Sequence, residues 1–310
     1  MIKTSLLGIV LLCASAQAQE TGGFGVGPGA KPPEVVPVEP EPTPSAAPSP
    51  EPTPSPAPAT TAPSTASADY QTTVRGKQRS PDFTQDRTFP GTRFWKLDHG
   101  EMQVESWWRL RKKRDQDAFH IFQFEFEVGL SPRVQLDIYE NLIYENGELR
   151  QEGNQIEARI AFDPVYGRTP MNPVLYLEWH PVHLAADRAE VRLLGGGQVR
   201  PGLLGAVNLF YEQNITHGPE PTFIANPEFG FTAGASYALA GQKLRAGAEV
   251  KLAFEKETFD DDRWEKQFLV GPSVSTRLIG KRLKLFATML FGVTDDAKQL
   301  DGFLILASGF

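Results

Sequence analysis

The stretch DAFHIFQFEFEVG, residues 117–129, decides the fold. Phe122, Phe124, Phe126 and Val128 fall on one parity, and Gln123, Glu125 and Glu127 on the other. Successive side chains of a β-strand point to opposite sides, so a contrast of period two marks a strand with one apolar and one polar face.

The same contrast recurs on both sides of this stretch. Trp108 and Leu110 oppose Glu105 and Arg109, and Val134, Leu136 and Ile138 oppose Arg133 and Asp137. Ile156 and Ile160 oppose Glu157 and Arg159; Leu177 and Trp179 oppose Glu178; Val191 and Leu193 oppose Arg192. Further on, Leu244, Ala246, Val250, Leu252 and Phe254 oppose Arg245, Glu249 and Lys251, and Val274 and Leu278 oppose Arg277. The run at 283–292 is apolar on both parities. The chain ends on DGFLILASGF (301–310), with Leu304, Leu306 and Phe310 on one parity and Asp301 on the other. Phe303 and Ile305 share the parity of Asp301, a position read as packing against a plug. About twelve strands follow from this count.

Alternation does not say which face is inside, and a soluble sandwich would bury the apolar parity. Three features favour an antiparallel up-and-down transmembrane β-barrel over 101–310. The connections LSPR, AGQK and IGKR are tight, whereas ENGELRQEGN, EQNITHGPEPTFIANPE and EKETFDDDRWEK read as long loops. Membrane barrels have this asymmetry. FDPVYGRTPMNP is a long exception on the tight side. Second, Trp108, Tyr144, Trp179, Tyr211, Phe254 and Phe291 stand near the same end of alternate strands, which makes a lipid-facing aromatic belt. Third, the polar parity then lines a charged, hydrated lumen. Its expected wall residues are Glu105, Arg109, Glu125, Arg133, Asp137 and Glu157, continuing through Arg159, Glu178, Arg192, Arg245, Glu249, Lys251 and Arg277.

The N-terminus sets the compartment. Lys3, the apolar run 6–12 and Ala16-Gln17-Ala18 form a signal peptide over 1–18. The run is too short for a membrane-spanning helix. Cys13 follows Leu12, where lipoprotein processing wants a small residue, and the mature chain keeps no cysteine for disulfides or thiolate metal sites. Residues 19–69 alternate proline with small polar residues and read as a disordered, extended periplasmic linker. Residues 70–100 form a pre-barrel segment. The net charge of −7 argues against nucleic acid. The expected location is an outer membrane, with the N-terminus in the periplasm and lipid as the surroundings.

SPDFTQDRTFPGTRFWKLDHGEMQVES (80–106) resembles the opening of the phenol-degradation MetA-like family of outer-membrane proteins. Pro81-Asp82-Phe83-Thr84, Pro90-Gly91 and Gln103-Val104-Glu105 stand in the family's order, and GLSPRVQL (129–136) and VGPSVS (270–275) are similar to its later turn and strand. Ser80 stands where the family has arginine. The resemblance implies a transporter, with aromatic or hydrophobic compounds among its solutes. The terminal Leu304, Leu306 and Phe310 also resemble the signal read by barrel-assembly machinery.

No cofactor is expected, and no enzyme. The five histidines lack metal-ligand spacing. A phospholipase-type barrel is the distant alternative, but neither His120 nor His180 has a nucleophile near it in sequence. The run Asp260–Asp262 lacks the calcium-loop pattern. The leading expectation is a passive channel for small solutes. The alternative is an anchoring barrel with a plugged lumen, whose proline-rich arm contacts the cell wall or a periplasmic partner.

Overall fold

The computed structural model describes residues 72–74, 77–114, 116–182, 186–215, 223–240, 243–256, 263–280 and 282–310. The signal peptide, the proline-rich linker and the run Asp260–Asp262 lie outside them.

A short hairpin, β1 (Thr72–Val74) and β2 (Lys77–Arg79), precedes the barrel. The barrel strands begin with β3 (Met102–Lys112), β4 (Phe119–Gly129), β5 (Val134–Glu145), β6 (Glu148–Ala161), β7 (Val174–His180) and β8 (Asp187–Arg200). They continue with β9 (Leu203–Ile215), β10 (Phe223–Ala238), β11 (Leu244–Glu255), β12 (Glu265–Ile279), β13 (Leu283–Gly292) and β14 (Leu300–Gly309). Each pairs antiparallel with its sequence neighbours, and β14 returns to β3, closing one barrel. At that seam Leu304 faces Trp108 and Gly309 faces Gln103.

The barrel is apolar outside and charged inside. Phe124, Ile138, Leu209 and Phe291 are 48–56% exposed, while the intervening Glu125, Glu127, Asp137 and Glu157 are at most 1% exposed. A water-soluble barrel has the reverse arrangement; this one is that of a transmembrane barrel. Trp108, Tyr144, Trp179, Tyr211 and Phe291 are all exposed on the outer face, and Phe254 stacks there on Phe229 at 5.4 Å. All six lie toward the end away from the barrel's own termini, here the distal end. His120 joins this belt: Trp108 donates to its Nδ1 at 3.0 Å, and its ring lies 6.1 Å from that of Tyr144. Leu304, Leu306 and Phe310 also face outward.

Two of the connections read as long loops carry strand: β9 and β10 take up 212–215 and 223–228 of EQNITHGPEPTFIANPE, and the other connection is strand almost throughout. ENGELRQEGN is not a loop: β5 and β6 run on through it and turn at Asn146-Gly147, with φ of 53° and 84°. Positive φ at both central residues is the hairpin turn that Asn-Gly favours, and its twist matches that of the strands. The long exception on the terminal side, 162–173, folds inward. Asn172 donates to the Gly196 carbonyl, and Tyr166 is buried.

The inward parity of β13 and β14 carries Phe286, Leu290, Phe303, Ile305 and Ala307 beside Lys284, Thr288 and Asp301, and its apolar members pack on one another. Phe303 packs with Leu269, Leu290 and Ala297, and Ile305 with Phe286 and Ala307; Trp107 touches both groups. Phe303 and Ile305 therefore pack on neighbouring barrel side chains, and the plug that the sequence pointed to for them sits against other residues. Replacing Gly147 with valine would force a β-branched residue into the left-handed region, which costs about 1–2 kcal/mol. Urea unfolding in detergent, followed by tryptophan fluorescence, should show the corresponding loss; an unchanged midpoint would mean that the turn is not formed.

Candidate functional site: a plugged lumen and its distal cavity

Residues 80–98 of the pre-barrel segment are inside the barrel. Phe83, Phe89, Phe94 and Trp95 are 0–4% exposed, and Arg87 and Lys96 are also buried. The segment is a closed loop whose ends are tied by Asp98, which accepts from the Ser80 amide at 2.8 Å and its hydroxyl at 2.7 Å. Trp95 donates to the same hydroxyl. Its apolar residues share a core with Val174, Tyr176, Leu194 and Leu204. Tyr166, from the inward-folded connection, meets Phe83 and Trp95 edge-on at 5.9 and 5.3 Å.

Two glycines make room for this plug. A Cβ on Gly234 would lie 2.6 Å from the Phe89 ring, and one on Gly196 would lie 2.8 Å from Phe94 Cβ. An inward side chain at either position would occupy the plug's place.

Charge fixes the plug's register. Arg87 meets Glu105 at 2.8 Å and Glu125 at 3.0 Å; Arg93 meets Glu125 at 3.2 Å and also pairs with Glu127. Arg159 completes the cluster from the barrel wall, pairing with Asp137 at 2.9 Å and with Glu157. Burial and Arg159 oppose the charge on Arg93, but the carboxylates of Glu127, Glu105 and Glu125 outweigh them and hold its guanidinium above the ordinary value. On the other side Asp86 accepts from Arg277 at 2.6 Å and pairs with Lys284 at 3.1 Å. The Gly91 amide donates to Glu249 at 2.9 Å.

Above the plug, toward the distal end, lies a cavity of about 360 Å³ whose floor is Pro90, Gly91, Thr92 and Arg93. The Pro90-Gly91 turn is thus the tip of the plug. Arg109, Glu178, Arg192, Glu249 and Lys251 line this cavity, together with Glu157. Glu105, Glu125, Asp137 and Arg159 lie beneath, in the ion cluster, and Arg277 lies against Asp86. Arg245 is buried and bonds to Ser236 and the Gly202 carbonyl. Arg133 stands apart. It is exposed at the turn after β4 and donates to the Phe162 carbonyl, because that turn carries it past the edge of the sheet.

Several wall residues carry no signal in the alternation. Trp107 turns inward and donates to Glu125 at 3.0 Å, Tyr139 and Tyr176 bond to Glu157 and Glu178, and Lys298 enters from the connection between β13 and β14. Arg111 lies on the polar parity and also lines the cavity. His180 is buried between Gln155 and Arg188. Two carboxylate triads, Glu105-Glu125-Glu127 and Glu125-Asp137-Glu157, have oxygens close enough to share a cation, but Arg87, Arg93 and Arg159 already occupy that space.

No protein-family model and no curated protein matches the chain. Among solved structures, a KdgM porin aligns at 10% identity over 67% of this chain and 99% of its own, with a TM-score of 0.46. A KdgM porin in complex with disordered oligogalacturonate aligns at 11% identity over 67% and 99%, with a TM-score of 0.47. A NanC porin aligns at 6% identity over 67% and 98%, with a TM-score of 0.48. The closed barrel rests on its own strand pairing and takes nothing from these likenesses.

Gly234→Leu should displace Phe89 and loosen the plug. Limited trypsin digestion in detergent should then cut after Arg87 or Arg93 several-fold faster than in the parent chain. Equal protection would place the plug elsewhere.

Proposed function

We propose that the chain is an outer-membrane channel for small polar solutes, closed in this state by its own N-terminal segment. The observation that carries the reading is the division of the lumen into a buried plug at the terminal end and a charged cavity at the distal end. An apolar outer band with an aromatic belt supports placement in a bilayer. An N-terminal plug entering from the terminal end supports a periplasmic N-terminus, with the short turns on that side. The outward Leu304, Leu306 and Phe310 support delivery by barrel-assembly machinery. The MetA-like resemblance agrees with a transport role.

The cavity's chemistry favours polar solutes over the aromatic or hydrophobic ones that the resemblance implies. Most of its aromatic rings already carry a cation on one face: Arg87 lies 4.1 Å over Trp107, Arg109 4.3 Å over Phe303, and Lys251 5.1 Å over Phe210. The alternative reading, an anchoring barrel whose proline-rich arm binds the cell wall or a periplasmic partner, draws on the depth of the plug's ion pairs. Removing one partner of a buried pair costs about 3–5 kcal/mol because the other charge is left unpaired, and expelling the plug would leave Glu105, Glu125 and Glu127 without Arg87 and Arg93.

Planar-bilayer recordings separate the two. The full chain should conduct rarely, whereas Gly234→Leu and a chain lacking residues 19–98 should conduct steadily. In the conducting chains, Arg109→Glu should shift selectivity toward cations. Silence from all three proteins, each shown folded by heat-dependent gel migration, would refute the channel and favour the anchor.

A further inference from the structure

The cations of the distal cavity are not equally partnered. Arg109 takes both oxygens of Asp301, at 2.7 and 2.5 Å. Lys251 takes Glu228 at 2.6 Å, and across the lumen Arg192 takes Glu190 at 2.6 Å and Arg188 takes Glu212 at 3.4 Å. Glu255 accepts from Gln267, and Glu178 from Tyr176 and Gln155. Two cations remain. Arg111 reaches Asp301 only at 3.8 Å, and its buried Nε has no hydrogen-bond partner. Lys298 forms no ion pair among the described residues. Both line the same cavity, whose wall there also holds Arg109 and Lys251.

We propose that this face of the cavity binds a small solute bearing an oxyanion, a carboxylate or a phosphate, between the Arg111 guanidinium and the Lys298 ammonium. Both oxygens of Asp301 accept from Arg109, so Arg111 does not hold Asp301 by a hydrogen bond and is open to an incoming oxyanion, which supplies an acceptor to Arg111 Nε and to Lys298. Burial, followed by Arg111 and Lys251, lowers Lys298 to about 8, outweighing Asp301 and Glu228, which raise it. A bound anion reverses that lowering. The inference rests on reading this space as the solute's antechamber, but the site is assayed by binding rather than by transport.

The full chain in detergent is titrated with succinate and with inorganic phosphate, using Trp107 fluorescence as the readout and choline as the cationic control. Saturable binding of at least one anion is expected, and none of choline. Which anion binds tighter tells carboxylate from phosphate recognition. Arg111→Gln and Lys298→Gln should each weaken binding about tenfold, the loss expected for one charge-assisted contact, whereas Arg133→Gln at the other end should not. In the parent chain, NMR titration of the Lys298 ammonium should show its pKa rising on addition of the preferred anion. Absence of saturable binding by both anions, or affinity unchanged in both variants together with an unmoved Lys298 pKa, overturns the site. Binding without conductance would leave the site standing and refute only the channel.

Discussion

A backbone amide crossing a bilayer must find its acceptor within the chain, and this constraint makes β14 return to β3. An open sheet would leave the groups of Met102–Lys112 and Leu300–Gly309 unpaired in hydrocarbon. Closure turns one parity of every strand toward lipid and traps the other in a narrow lumen. The carboxylates that a flat sheet would leave in water become an interior that has to be neutralised.

For the carboxylates deepest in the lumen, two of the three neutralising guanidinium groups come from outside the sheet. Deep in the lumen, between β3 and β6, the inner wall presents Glu105, Glu125, Glu127, Asp137 and Glu157 around the guanidinium of Arg159, while Arg109 and Arg111 of β3 stand in the distal cavity beside Asp301. Arg87 and Arg93 of the plug supply two more. The wall is therefore complementary to the plug before it is complementary to itself. Arginine suits the task because one planar fork spans two carboxylates while remaining charged in a dry setting. Asp86 repeats the logic with reversed sign, entering between Arg277 and Lys284.

The barrel was legible because its signal is local. Phe122, Phe124 and Phe126 against Gln123, Glu125 and Glu127 need only a period of two, and the outward Leu304, Leu306 and Phe310 need only the same. The plug was not legible in the same way. Arg87 and Arg93 sit in a segment without periodicity, and a charge there looks solvated until Glu105 and Glu125 are brought to it by folding. Lys298 was hidden for the same reason. Asn146-Gly147 did carry a local turn signal, but the charged residues on either side made the extended ends of β5 and β6 resemble loop. Arg133 shows the limit of parity, which continues past the point where the sheet ends.

The order of these elements along the chain has a consequence for assembly. The plug precedes β3 by a few residues, and its arginines are matched by the first two strands of the barrel. Among the described residues, the late strands β12 and β13 contribute Arg277 and Lys284 to its ion pairs. The hairpin of β3 and β4 thus already offers the docking surface for Arg87 and Arg93, before the seam has closed. The segment that stops the finished pore is in this sense also a mandrel around which the remaining strands can be wound.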